Sequence, residues 1–169
     1  MKTIEQFCSD HNACPEGRDW ALANCKDMLE AWSTAKPTWV IWIATRPGVL
    51  TEREIKIFAV WCAKQVRPLI TKPDIVKALD TVERYVEGKA TEEELAWARH
   101  AACAVPETDF KSAYRTVASA IVCVSVFDWE VPETLKGVLY DLSAVVEDRD
   151  ASKTAQAEWL RNNTQPNFN

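Results

Sequence analysis

Apolar residues recur at intervals of three and four along residues 74–104, and polar residues fill the positions between them. In the first half of this stretch, the apolar residues share one stripe of a 3.6-residue helix: Ile75, Ala78, Leu79, Val82, Tyr85 and Val86. Gly88 follows the last apolar turn, where a left-handed glycine commonly ends a helix. Thr91, with Glu94 three residues later, is typical of a capping box that starts a second helix. The pattern therefore predicts a hairpin of two amphipathic helices.

Similar patterns predict helices along most of the remaining chain. Two segments, residues 38–44 and 121–127, are rich in β-branched residues and would also suit strands. Helix is preferred for both, and for the second because no other strong strand is available to form a sheet with it. The expected fold is all-α, a single compact domain of about seven to nine helices over residues 1–162. The aperiodic residues 163–169 are expected to form a disordered C-terminal tail.

Composition and charge narrow the classes of function. The net charge of −5 argues against direct binding of nucleic acid, because phosphate binding requires clustered lysine and arginine. The longest strongly apolar run, residues 118–127, is about half of the length that a membrane span needs. The N-terminus is polar where a signal peptide requires an apolar stretch. We therefore expect a cytoplasmic protein that does not enter a membrane.

Six cysteines are too widely spread for a small disulfide framework, so they are interpreted as mostly reduced. One group has metal-like chemistry: Cys8, His11 and Cys14, with Cys25 further along the chain. Thiolate and imidazole are ligands of tetrahedral zinc, and the count reaches four. However, Cys8 and His11 fall within a predicted helix, and no second CxxC motif supports the set. No cofactor is expected, with zinc at these four residues as the alternative.

No other arrangement of residues is typical of an active site. His100 and Cys103 share one face of a predicted helix, as a base and a nucleophile would, but an alanine-rich packing face also explains them. The four glycines form no phosphate-binding loop, and the serines lack the context of a nucleophile elbow. The sequence therefore predicts a protein that is not an enzyme.

Tryptophan and acidic residues are the features that indicate a binding surface. Eight tryptophans are too many to interpret only as core, because tryptophan is common at binding hot spots. Residues 128–150 contain seven acidic and two basic residues, a net charge of −5 that equals that of the whole chain. A solvated face explains such a run, but it would also suit a basic protein partner. The predicted partner-binding residues are Trp129, Asp128, Glu130, Glu133 and Trp39.

Residues 14–161 contain the segments CPEGRDWA, LEAW, WVIWIA, ALDTVERYVEGKATEEELAWAR and QAEWLR. These segments resemble a family of small helical proteins from bacteria and phages that carry the label immunity protein, whereas AYRTVASAIVCVSVFDWEVP departs from the family pattern. It implies an all-helical fold, a bacterial or phage origin and no established catalytic residues. The family label implies neutralisation of a toxin.

Together these observations predict a non-enzymatic, protein-binding inhibitor that blocks a toxin or, in a phage-infected host, a defence effector in an anti-CRISPR-like way. Its partner would present a basic surface to the acidic and aromatic residues. The alternative is a metal-binding or small-molecule-binding protein, or an unconventional enzyme, that uses the N-terminal cluster of cysteine and histidine.

Overall fold

The structure is a computed structural model that describes residues 2–104, 113–126 and 131–169. In these ranges it is all-helical, as predicted, and contains no strand. The helices in chain order are α1 (Ile4–Asp10), α2 (Pro15–Asn24), α3 (Met28–Thr34), α4 (Pro37–Ala44), α5 (Glu52–Gln65), α6 (Pro73–Val86), α7 (Glu92–Cys103), α8 (Ala113–Ser125), α9 (Val131–Val145) and α10 (Arg149–Asn163). A 3₁₀ turn, Arg67–Leu69, lies between α5 and α6. Ten α-helices in these ranges slightly exceed the predicted seven to nine.

The chain divides into two compact units, although the sequence predicts a single domain over residues 1–162. The first, which we call the terminal unit, consists of Met1–Leu50 and Asp150–Asn169. The second, the middle unit, is Thr51–Arg149. Both ends of the chain belong to the terminal unit, where the backbone N–H of Lys2 donates to the carbonyl of Phe168 at 2.6 Å. No helix in the described ranges is both long and apolar enough to cross a bilayer.

Local signals in the sequence account for where the helices begin. Capping boxes are present at Thr3, Thr51 and Thr91, the last as predicted above, and each satisfies two backbone N–H groups that a helix start leaves unpaired. Asp27 caps α3 by accepting the N–H of Glu30, which divides residues 15–34 into two short helices. The two segments that also suited strands are the helices α4 and α8.

The predicted hairpin of residues 74–104 is formed by α6 and α7 in the middle unit. Gly88 has a φ of +75°, a left-handed conformation that glycine adopts without a steric penalty. The N–H of Lys89 donates to the carbonyl of Arg84 at 2.7 Å, which satisfies one of the last carbonyls of α6. Arg84 also forms an ion pair with Glu94 at 2.7 Å, joining the two helices.

Residues 163–169 differ from the disordered tail that the sequence predicts. Phe168 is only 4% exposed, and its ring packs edge-on against Phe7 with 5.5 Å between centroids. The N–H of Asn167 donates to the carbonyl of Val49 at 2.7 Å. A single aromatic anchor and a few backbone hydrogen bonds produce no hydrophobic period, so this packing has no periodic signal in the sequence.

Candidate functional site

A cleft of about 390 Å³ lies in the terminal unit and is lined by residues of α1 to α4 and the loops between them. We call it the aromatic cleft, because Trp20, Trp39 and Trp42 line it and each is half-buried. Phe7 and Met28 contribute further apolar surface. Trp39 and Glu133 are the predicted partner-binding residues that the structure describes, and Trp39 lies in this cleft.

Helix α4 positions two of the tryptophans. Pro37 occupies its first turn, where a missing backbone N–H costs nothing. Val40 and Ile43 are buried on one side, which leaves Trp39 and Trp42 partly accessible beside it. The rings of Trp20 and Trp39 are tilted by 44° with centroids 5.2 Å apart, a favourable aromatic geometry. Trp20 belongs to α2, so the sequence alone could not show that its ring lies beside that of Trp39.

The charge at the aromatic cleft is nearly neutralised. Lys36 is the one charged side chain among the described residues that line it, and its Nζ lies 4.0 Å from the centroid of Trp39. The same Nζ is 2.8 Å from Oε1 of Glu16. The lysine therefore has both a cation–π contact and an ion pair, and the cleft offers mainly apolar surface to a ligand.

Two of the predicted metal ligands, Cys8 and Cys14, also line the aromatic cleft. Cys8 is 8% exposed, and burial raises the pKa of its thiol, which keeps the thiol protonated at neutral pH. Cys14 is exposed and caps α2, where its sulfur accepts the N–H of Gly17 at 3.4 Å. The two thiols that line the cleft therefore differ in accessibility, since that of Cys8 is buried and that of Cys14 is exposed.

The four predicted zinc ligands are not assembled into one site. Cys14 and Cys25 cap opposite ends of α2, a ten-residue helix, and are therefore roughly 15 Å apart along its axis. The ring of His11 packs on Phe7, and burial lowers the pKa of its imidazole. In the ranges that the structure describes, no three His, Cys, Asp or Glu side chains form a group that could hold a metal ion. The residues present therefore do not fit a zinc site.

The predicted acidic surface is described only in part. Trp129, Asp128 and Glu130 lie outside the described residues. Glu133 is exposed in the first turn of α9 and forms an ion pair with Lys136 at 2.6 Å.

Another carboxylate of the acidic stretch, Asp141, is 7% exposed rather than part of a solvated face. The hydroxyl of Ser119 donates to Asp141 at 2.5 Å, and Arg115 Nε lies 3.9 Å from the same carboxylate oxygen. Asp141 therefore joins α9 to α8, a structural role that its charge alone did not reveal.

His100 and Cys103 are both exposed on α7, but they line different clefts of the middle unit. No described contact pairs the imidazole of His100, as a base, with the thiol of Cys103, as a nucleophile. No family model matches the chain, and searches of curated proteins and of solved structures likewise found no match. Function is therefore inferred from the clefts themselves and from the resemblance noted in the sequence.

Proposed function

We propose that the protein is a non-enzymatic, protein-binding inhibitor of immunity type that blocks a toxin or a host-defence effector. The observation that carries this proposal is the aromatic cleft, where Trp20, Trp39 and Trp42 surround apolar space that no described side chain fills. Tryptophan is enriched at binding hot spots, and such sites bury an anchor residue of the partner away from water. A large apolar side chain of the partner is the occupant that we propose.

The lining of the cleft favours an apolar anchor over a polar small molecule. Sites for small molecules usually place several polar groups that fix the orientation of the ligand. Here the polar groups are the side chains of Asn12, Lys36 and Thr38, backbone groups, two thiols and the indole N–H groups, and Lys36 is already paired with Glu16. Burial of an apolar side chain requires no such groups, because the hydrophobic effect is not directional.

The acidic stretch supplies the second part of the proposal. We propose that Asp128, Glu130 and Glu133 face a basic surface of the partner and that Trp129 adds a second anchor. Opposite charges accelerate association most strongly at low salt. Reversal of these three charges should therefore slow association at low salt more than at high salt. Equal rates for the reversed and natural proteins at every salt concentration would exclude the acidic surface.

The main test compares the tagged natural protein with Trp39→Ala, first in recovery of a host protein and then in affinity for that purified protein. Trp97→Ala is the matched control, because Trp97 is 36% exposed and belongs neither to the aromatic cleft nor to the acidic stretch. Loss of a hot-spot tryptophan should weaken binding by about 30-fold, and the control should bind like the natural protein. Circular dichroism would establish that both variants fold. Equal affinity of Trp39→Ala and the natural protein would overturn the proposal.

A second candidate function is binding of a small apolar molecule in the aromatic cleft. Its support is the volume, which falls within the roughly 300–1,000 Å³ of ligand pockets, and the presence of Cys8 and Cys14 in the lining. Native mass spectrometry of the purified protein separates the two functions. A stoichiometric organic ligand, together with failure to retain any specific protein, would favour the second. Because the predicted zinc ligands are not assembled, we expect no stoichiometric metal.

A further inference from the structure

A second cleft, of about 430 Å³, lies in the middle unit where the start of α6 meets the end of α7. Lys72, Asp74, Trp97 and His100 provide its polar and aromatic lining. We call it the hairpin cleft. Its residues belong neither to the aromatic cleft nor to the acidic stretch.

Lys72, which lines the hairpin cleft, and Lys77, which contacts its Trp97, are held by aromatic rings rather than by carboxylates. Lys77 Nζ lies 4.4 Å from the ring centroid of Trp97, and Lys72 Nζ lies 5.0 Å from that of Tyr114. Neither amine forms an ion pair with a carboxylate in the described ranges. By contrast, seven of the ten described lysines are paired: Lys2, Lys36, Lys56, Lys64, Lys89, Lys136 and Lys153. One amine without a carboxylate partner thus lines the cleft and a second contacts its tryptophan, in a protein that is acidic as a whole.

Tyr114 also holds the segment that carries Lys72. Its hydroxyl accepts the backbone N–H of Thr71 at 3.1 Å and lies 2.7 Å from the Thr71 hydroxyl. The backbone beside Lys72 is therefore fixed to α8 before any ligand arrives. A preorganised cation loses less conformational entropy on binding than a free lysine side chain.

The hairpin cleft also offers a flat apolar surface. Trp97 is 36% exposed and shares the cleft with Ile75 and the imidazole of His100. The lining contains one ammonium group, that of Lys72, and one carboxylate, that of Asp74, and the ammonium group of Lys77 lies over Trp97 beside them. An anion attached to an aromatic ring would complement both features, since the ring can pack on the indole and the anion can contact the amines.

We propose that the hairpin cleft binds a nucleoside phosphate, with the base against Trp97 and the phosphate between Lys72 and Lys77. Stacking on tryptophan tolerates any base, and lysine is a common phosphate ligand. Lys77 would leave the face of the indole and follow the phosphate. A single nucleotide suits the site better than a long nucleic acid, because the net charge of −5 would repel an extended phosphate backbone. This inference does not depend on the proposed inhibitor function, because its residues belong neither to the aromatic cleft nor to the acidic stretch.

The test is calorimetric titration of the full chain with adenosine monophosphate, adenosine and inorganic phosphate at low salt. We expect the nucleotide to bind at least about tenfold more tightly than either fragment, because only it contacts both the amines and the indole. Adenosine binding as tightly as the nucleotide would overturn the role of the lysines. Inorganic phosphate binding as tightly would overturn the role of Trp97. Absence of saturation by the nucleotide at about 1 mM would overturn the site itself.

Variants test the assignment of residues. The double substitution Lys72→Gln and Lys77→Gln should weaken nucleotide binding by about tenfold and reduce its salt dependence. Trp97→Ala should weaken it by about tenfold as well, which corresponds to loss of one stacked base. Lys26→Gln is the matched control, because Lys26 is exposed and unpaired among the described residues but lies in the terminal unit. An equal loss of affinity in this control, with all variants folded by circular dichroism, would overturn the proposal.

Discussion

Two helices begin with the same pair of residues, and each of these starts borders a cleft. Lys36 and Pro37 start α4 beside the aromatic cleft, whereas Lys72 and Pro73 start α6 beside the hairpin cleft. In neither case does the lysine side chain cap the helix, and in both cases its amine lies over an aromatic ring. The local sequence therefore produces a proline-led helix start twice, but the ring under Lys36 belongs to the same helix start, whereas the ring under Lys72 belongs to α8.

The two helix starts differ in whether a carboxylate neutralises the lysine. Glu16 of α2 is paired with Lys36, which leaves the aromatic cleft almost uncharged. The ring over which Lys72 lies belongs to Tyr114 of α8, and no described carboxylate forms an ion pair with the lysine, so its positive charge is retained. The partners are distant in sequence, and they decide whether the same dipeptide borders an apolar or a cationic surface. This contrast is why we assign a protein anchor to the first cleft and an anion to the second.

The largest expected effect concerns the aromatic cleft, because its wall depends on the C-terminal residues. Phe168 packs against Phe7, which lines the cleft. Phe168→Ala should lower the free energy of unfolding by about 3 kcal/mol, the low end of the range for a buried phenylalanine. Urea unfolding followed by far-ultraviolet circular dichroism measures the change.

Asn162→Ala is the control for Phe168→Ala, because Asn162 is an exposed residue of α10. The variant should also loosen the aromatic cleft and leave the hairpin cleft intact, which hydrogen exchange would resolve by region. A loss of stability no greater than that of the control would mean that residues 163–169 contribute little, as the disordered tail predicted from the sequence would have implied.

A smaller effect is expected at the hairpin cleft. Tyr114→Phe removes the hydroxyl that bonds to the backbone and side chain of Thr71 while retaining the ring beneath Lys72. Loss of these hydrogen bonds should cost about 1 kcal/mol and accelerate hydrogen exchange at Thr71. Tyr140→Phe is the control, because Tyr140 is 72% exposed. Unchanged exchange at Thr71 would show that the ring alone holds the segment.

Much of the fold could be predicted because its signals are local. Capping boxes at Thr3, Thr51 and Thr91, and the glycine at residue 88, depend on residues within one or two turns. The periodic spacing of apolar residues likewise predicted the helices that flank the loops. The anchoring of Phe168 was missed because one aromatic residue in a polar segment has no period to recognise.

The candidate sites were harder to predict because each joins residues that are distant in sequence. Trp39 was identified as a partner-binding residue from its type, but Trp20 and Trp42 became part of a site only through the packing of α2 and α4. The zinc cluster could have been doubted from the sequence, since a helix starting at Pro15 separates Cys14 from Cys25. The lysines of the hairpin cleft have no signature, because what distinguishes them is the identity of their distant partners.

The smallest expected effect is a pH dependence of stability that comes from His11. His11 packs on Phe7 at the aromatic cleft, with 4.5 Å between ring centroids, whereas His100 is exposed at the hairpin cleft. Burial lowers the pKa of His11, and the positive charges of Lys2 and Arg46 act in the same direction. The folded protein therefore favours neutral imidazole, while the unfolded chain takes up a proton near its ordinary pKa of about 6.5.

The stabilisation from His11 is consequently complete above the pKa of the unfolded chain and is lost as the pH falls through the lower pKa of the folded protein. His11→Gln, which does not titrate, should lose part of the decline in unfolding free energy between about pH 7.5 and about pH 5, with His100→Gln as the matched control. Urea unfolding at both pH values measures the decline, and carboxylates that titrate in the same range affect all three proteins alike. If the unfolding free energy of His11→Gln declines as steeply as that of the natural protein, the pH dependence does not come from His11. If the decline is shallower only in His100→Gln, the pH dependence comes from His100 instead.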